Sequence, residues 1–209
     1  MIRTLALLFL LLAPALAQAA PPRVEVAGPP PEALPAALRS AVAADGVRAV
    51  TEKTTMEVWL CREPALKTGA PESLGASFGS LTPGALAGAV RFSAAWTDHH
   101  GRPVAAGFYT LRYAVQPADG YHMGVSAYRD FFLLIPAAAD PGPGTVLPAE
   151  DLTRLARKST GSHPGVLALF PTPAVQKPTG VDNETGQPTL AIPYGPLTLG
   201  LVVEGRGEG

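Results

Sequence analysis

The chain has 209 residues, enough for one ordinary domain with trimmings and too few for two large ones. Hydrophobic residues make up 47% and charged residues only 16%, and the chain holds 22 Gly and 23 Pro, a composition that excludes a coiled coil or long-helix bundle. The formal net charge is −1, so no broad field exists to recruit nucleic acid or an anionic membrane.

In chain order, Met1–Ala19 reads as a cleaved export signal. Arg3 supplies the positive start, Thr4–Leu12 is nearly unbroken apolar sequence, and Ala17-Gln18-Ala19 satisfies the small-x-small cleavage rule, as does Ala15-Leu16-Ala17. Cleavage after Ala19 is expected. An uncleaved anchor fits less well, because the apolar run falls short of the ~20 residues a span needs. No later run is long enough either, so the expected product is periplasmic or extracellular, with no membrane insertion after cleavage. Its one cysteine, Cys61, allows no internal disulfide and reads as a packed structural thiol.

Residues 20–31 are rich in Pro and Gly and read as an extended lead-in. Leu34, Leu38 and Val42 recur every four residues, which predicts a short helix over Pro31–Ala44 before the stop at Asp45-Gly46. Val47–Thr51 and Thr55–Arg62 read as a hairpin, with Met56, Val58 and Leu60 on one face and Glu57, Trp59 and Cys61 on the other. Trp59, on the polar side, is the one candidate for stacking a sugar. Lys67–Gly84 reads as a long loop.

Three alternating segments follow, Leu86–Trp96, Val104–Gln116 and Tyr128–Ile135, joined by polar loops at Thr97–Pro103 and Pro117–Ala127. Five consecutive apolar residues, Phe131–Ile135, predict a strand covered on both faces. Arg112 is expected to pair with Asp130 across neighbouring strands. Pro148–Ser159 reads as a helix, with Glu150 and Asp151 at its start, Arg157 and Lys158 at its end, and Gly161 as the stop. Val166–Phe170, Thr189–Ile192 and Leu197–Val203 supply further strands, Asp182–Gly186 a turn, and 205–209 a disordered tail. The expected architecture is all-β: one antiparallel β-sandwich over 32–204, immunoglobulin-like or jelly-roll-like, with one or two short peripheral helices.

The usual motifs of nucleophilic, phosphate-binding, zinc-protease and dithiol chemistry are missing from the sequence, which names no catalytic residue. Four histidines remain. His99 and His100 sit in the loop before the long central strand and His122 in the loop after it. A strand of that length spans about 40 Å, so these two groups are expected at opposite ends. If the later helix carries the chain back, His163 joins His122, with Met123 and Asp119 beside them. Imidazole and thioether together suit copper, with zinc as the other candidate.

The run Ala106-Gly107-Phe108-Tyr109-Thr110-Leu111-Arg112-Tyr113, with Asp119-Gly120, His122-Met123-Gly124 and Tyr128-Arg129-Asp130-Phe131, resembles a block in a family of uncharacterised secreted bacterial proteins. The run Lys158-Ser159-Thr160-Gly161-Ser162-His163-Pro164 is similar to that family's second block. The resemblance covers the C-terminal half well and the first half loosely, and it brings no established activity or catalytic residue. It implies that Asp119, His122, Tyr128, Arg129, Asp130 and His163 belong to a shared pattern, as site or scaffold. The functional expectation is an exported, non-catalytic binding or interaction module without a cofactor, whose partner is a protein or a small molecule. The rival is a periplasmic copper or zinc protein, or metalloenzyme, built on His122 and His163.

Overall fold

A computed structural model describes residues 20–68, 75–98, 101–117 and 128–205. The strands are β1 (Arg23–Gly28), β2 (Gly46–Val50), β3 (Thr55–Leu60), β4 (Leu86–Phe92), β5 (Trp96–Thr97), β6 (Pro103–Val104), β7 (Gly107–Val115), β8 (Asp130–Pro136), β9 (Gly165–Pro171), β10 (Thr179–Asp182), β11 (Pro188–Tyr194) and β12 (Leu197–Val202). The helices are α1 (Ala36–Ala41) and α2 (Ala149–Ala156). The expected Pro31–Ala44 helix shrinks to α1 because Pro35 precedes it and Val42 is already extended, bridging to Cys61. None of the helices among the described residues is long and apolar enough to cross a membrane.

The all-β expectation holds, but the sandwich does not. Ten strands form one antiparallel sheet in the order β1-β2-β3-β4-β7-β8-β9-β12-β11-β10, while β5 and β6 make a separate hairpin. The sheet curls into a nearly closed barrel, with its margins β1 and β10 close together but not paired as strand neighbours. The Pro22 carbonyl, just before β1, lies so close to Gly180 of β10 that a Cβ there would sit 1.9 Å from the oxygen. Val58 of β3, Leu134 of β8 and Leu190 of β11 therefore share one interior. Alternation fixes which face of a strand is buried, and it reads the same in a sandwich and a barrel. Only continuous hydrogen bonding around the curve separates the two.

The interior is filled by every second residue. Tyr109, Leu111 and Tyr113 of β7 meet Phe132 and Leu134 of β8 and Leu167 and Leu169 of β9. On the outer face of β8, Leu133 and Ile135 pack beneath Leu152, Leu155 and Ala156 of α2, so Phe131–Ile135 is covered on both sides as its composition predicts. Leu34 and Leu38 from α1 and its approach cover Leu86 and Ala89 of β4.

A ladder of opposite charges runs along the outer face. Glu25, Arg48, Glu57, Arg91 and Phe108 stand directly opposite one another on β1, β2, β3, β4 and β7. The Glu57 carboxylate accepts from Arg48 Nε at 2.9 Å and Arg91 Nη1 at 3.1 Å, and the Arg91 guanidinium lies 5.7 Å from the Phe108 ring centre. Cross-strand pairs of this kind penalise a register slip, which would set like charges together.

Each end of the barrel has its own plug. At the Pro136 end, the β5–β6 hairpin puts Trp96 on Phe92, with rings stacked at 4.5 Å, and the Trp96 indole donates to the Val203 carbonyl at 2.6 Å. At the Asp130 end, Phe78 and Leu81 enter the interior. Asp130 holds that segment: its carboxylate accepts from the backbone N–H of Ser77 at 2.7 Å and of Phe78 at 3.1 Å, and from the Tyr113 hydroxyl at 2.6 Å.

The expected Arg112–Asp130 pair is thereby corrected. Asp130 pairs in register with Val115 and shares the inward face of Tyr113, whereas Arg112 points outward. There it meets Asp140, and both side chains are 0% exposed.

Candidate functional site

Of the expected metal set, His122, Met123 and Asp119 lie outside the described residues, as do His99 and His100. His163 is exposed, and its carbonyl accepts from the Thr160 hydroxyl. Gly165, two residues on, pairs with Leu134, towards the Pro136 end of β8. Pro117 and Tyr128, which flank the segment carrying His122, stand instead near the Val115–Asp130 pair. The reason lies in the path between β8 and α2. Residues 140–147 run back past Arg112 to Gly84, whose carbonyl accepts from the Leu147 N–H at 3.1 Å, and α2 then retraces that distance. Among the described residues, no group of three His, Cys, Asp or Glu side chains is placed to hold a metal ion.

Other pattern residues make internal contacts. The Tyr128 hydroxyl donates to Glu184, and its ring meets Phe170 edge-on at 4.8 Å. Arg129 Nε donates to the Gln116 carbonyl at 2.9 Å, tying together the two flanks of the 118–127 segment. Trp59, expected to be open to a sugar, is 1% exposed. Its indole donates to the Gly28 carbonyl at 2.9 Å and lies over Gly46, where a Cβ would come within 2.4 Å of the ring.

The concave site lies elsewhere. A pocket of about 320 Å³ opens at the Asp130 end, between β2–β3 on one side and β11 with the approach to β10 on the other. It thus lies beside the seam between the two margins of the sheet, with walls from β2, β3 and β11 rather than from the margin strands themselves. Val47, Val58, Leu60, Ile192 and Pro193 give it apolar walls, and Cys61 and Tyr194 add a thiol and a phenol. Asp45 and Arg62, both exposed, stand at its rim.

The thiol and the phenol are both engaged within the protein, each directed at a backbone carbonyl. Burial pushes the Cys61 thiol up to about 11, against a smaller opposing pull from the Arg112 charge. At neutral pH it is protonated and weakly nucleophilic. Burial also raises Tyr194, with the neighbouring Cys61 adding to the effect, and its hydroxyl reaches the Glu63 carbonyl at 3.4 Å. The Cys61 sulfur lies 3.7 Å from the Leu86 carbonyl.

The sequence reading missed this site. Its walls come from residues 43–62 and 178–195, and only closure of the sheet brings them together. The apolar alternation of β3 and β11 marks those residues as interior without marking where the interior is left unfilled. Comparison with protein-family models, curated proteins and solved structures gave no match.

Proposed function

We propose that this chain is an exported binding module that holds a small, largely apolar molecule in the seam pocket. The pocket itself carries this reading. Small barrels keep their interiors filled by side chains or hold one small ligand, and the seam pocket leaves room for one. A volume of about 320 Å³ is at the lower end of the ~300–1,000 Å³ usual for ligand sites. Apolar walls with a few polar groups are the usual composition of such sites. A protonated thiol and phenol favour retention over nucleophilic chemistry. The export part of the proposal rests on the composition of Met1–Ala19, and it is supported if secreted protein begins at Ala20.

The test uses N-phenyl-1-naphthylamine, an uncharged probe whose fluorescence rises in apolar surroundings. Saturable binding to the native chain, lost when Ala43→Phe fills the pocket, supports the reading. Binding that survives Ala43→Phe in a folded variant, or no binding to the native chain, overturns it. Ala43→Leu is the milder substitution if the phenyl group prevents folding.

A further inference from the structure

The rim of the pocket carries one cation and one anion, and they do not neutralise each other. Arg62 and Asp45 line the same opening, yet no ion pair within 4 Å joins them or joins either to another described residue. This contrasts with the outer face of the same strands, where Glu25, Arg48, Glu57 and Arg91 are paired in sequence along the ladder. Opposite charges brought to one rim and left apart suit a guest that brings both partners. A purely anionic guest gains from Arg62 and loses to Asp45, and a purely cationic guest does the reverse. A dipolar head satisfies both, while its apolar body enters between Val58 and Ile192.

We propose that the seam pocket selects small apolar zwitterions, molecules with an ammonium and a carboxylate on one end and a bulky apolar group on the other. The inference rests on the pocket being a ligand site and adds the chemistry of its guest. Arg62 takes the carboxylate and Asp45 the ammonium. Both side chains are solvent-exposed, so each contact contributes a modest factor, about two- to fivefold in affinity at low salt. The selectivity weakens as salt screens the rim.

The experiment displaces N-phenyl-1-naphthylamine at pH 7 with four molecules of one apolar body: phenylalanine, N-acetylphenylalanine, phenylalaninamide and N-acetylphenylalaninamide. Phenylalanine is expected to bind about two- to fivefold tighter than either singly charged analogue, with the neutral one close to the singly charged pair. In Arg62→Gln, phenylalanine and phenylalaninamide should bind alike. In Asp45→Asn, phenylalanine and N-acetylphenylalanine should bind alike. Both positions are exposed, so these variants are expected to fold. Equal binding of all four, failure of all four to displace a bound probe, or selectivity unchanged in both variants overturns the zwitterion inference and leaves the pocket reading standing. Failure of the uncharged probe to bind removes the pocket reading, and the inference falls with it.

Discussion

Replacing Asp140 by Ala isolates the energetics of an ion pair whose two side chains, alone among the ion pairs of the described residues, are fully buried. Arg112 has five N–H donors, and all are used. Nε and Nη2 donate to Asp140 at 2.7 and 2.6 Å, Nη1 to the carbonyls of Gly84 and Thr145 at 2.8 and 2.6 Å, and Nη2 also to the Gly142 carbonyl at 2.8 Å. Asp140 also accepts from the Thr110 hydroxyl at 2.6 Å and the Gly142 N–H at 2.8 Å. The pair thus fastens the 140–147 segment to the outer wall of β7. Removing the carboxylate leaves a guanidinium at 0% exposure without its counter-charge, which costs about 3–5 kcal/mol. For a domain of this size that lowers the melting temperature by about 6–20 °C.

Arg112→Met alone leaves Asp140 without its counter-charge and takes a hydrogen bond from the carbonyls of Gly84, Gly142 and Thr145, so it is expected to cost a similar amount. The double variant Arg112→Met/Asp140→Ala should fall short of the sum of the single losses by about 2–3 kcal/mol, because each single change already breaks the same contacts. Urea unfolding followed by the fluorescence of Trp59 and Trp96, both buried, measures all four corners of this cycle. An Asp140→Ala loss within about 0.5 kcal/mol of zero, or additive losses, refutes the reasoning.

Three further outcomes concern Asp140, Cys61 and Gly46. Burial opposes ionisation of Asp140, but hydrogen bonds from Arg112, Thr110 and the Gly142 N–H, with the Arg112 charge, together hold it below its ordinary 3.8. Its stabilising contribution is therefore complete above 3.8 and is lost as pH falls through the lower folded value, so urea midpoints across the acid range should fall less steeply in Asp140→Ala. Cys61 should react with iodoacetamide at pH 8 about 100-fold more slowly than a free cysteine, as followed by mass spectrometry, and a rate like the free thiol's would contradict its burial. Gly46→Ala should cost about 1–3 kcal/mol, because its Cβ would lie 2.4 Å from a Trp59 ring that has no room to retreat, and an unchanged urea midpoint would contradict that packing.

Much of the interior was legible from alternation alone. Tyr109, Leu111 and Tyr113 face inward as their spacing predicts, and Phe131–Ile135 is buried on both faces. The strands that escaped the reading are informative. β1 and β10 are the two margins of the sheet, short and half-exposed, and Pro and Gly beside or within them mask a strand pattern. Without those margins, nothing in the chain announces closure, and a barrel passes for a sandwich.

Parity decided the ionic contacts. Arg112 and Asp130 lie on adjacent strands but on opposite faces, and the real partner, Asp140, comes from the irregular segment after β8. The pocket was hidden for a related reason: Cys61 and Tyr194 are 133 positions apart, and neither sits in a local motif. Trp59 sits on the polar side of its strand, yet Gly28 at the end of β1 and Gly46 of β2 supply a covering that periodicity does not encode.

The central claim is that the seam pocket is where this protein binds. It is tested most directly by titrating the isotopically labelled chain from Ala20 onward with N-phenyl-1-naphthylamine and following amide chemical shifts. The account predicts saturable shifts concentrated at Ala43, Asp45, Cys61, Arg62, Ile192 and Gly195, with His163 and α2 unmoved. Saturable shifts centred on another face of the barrel, with the seam residues unmoved, would contradict it.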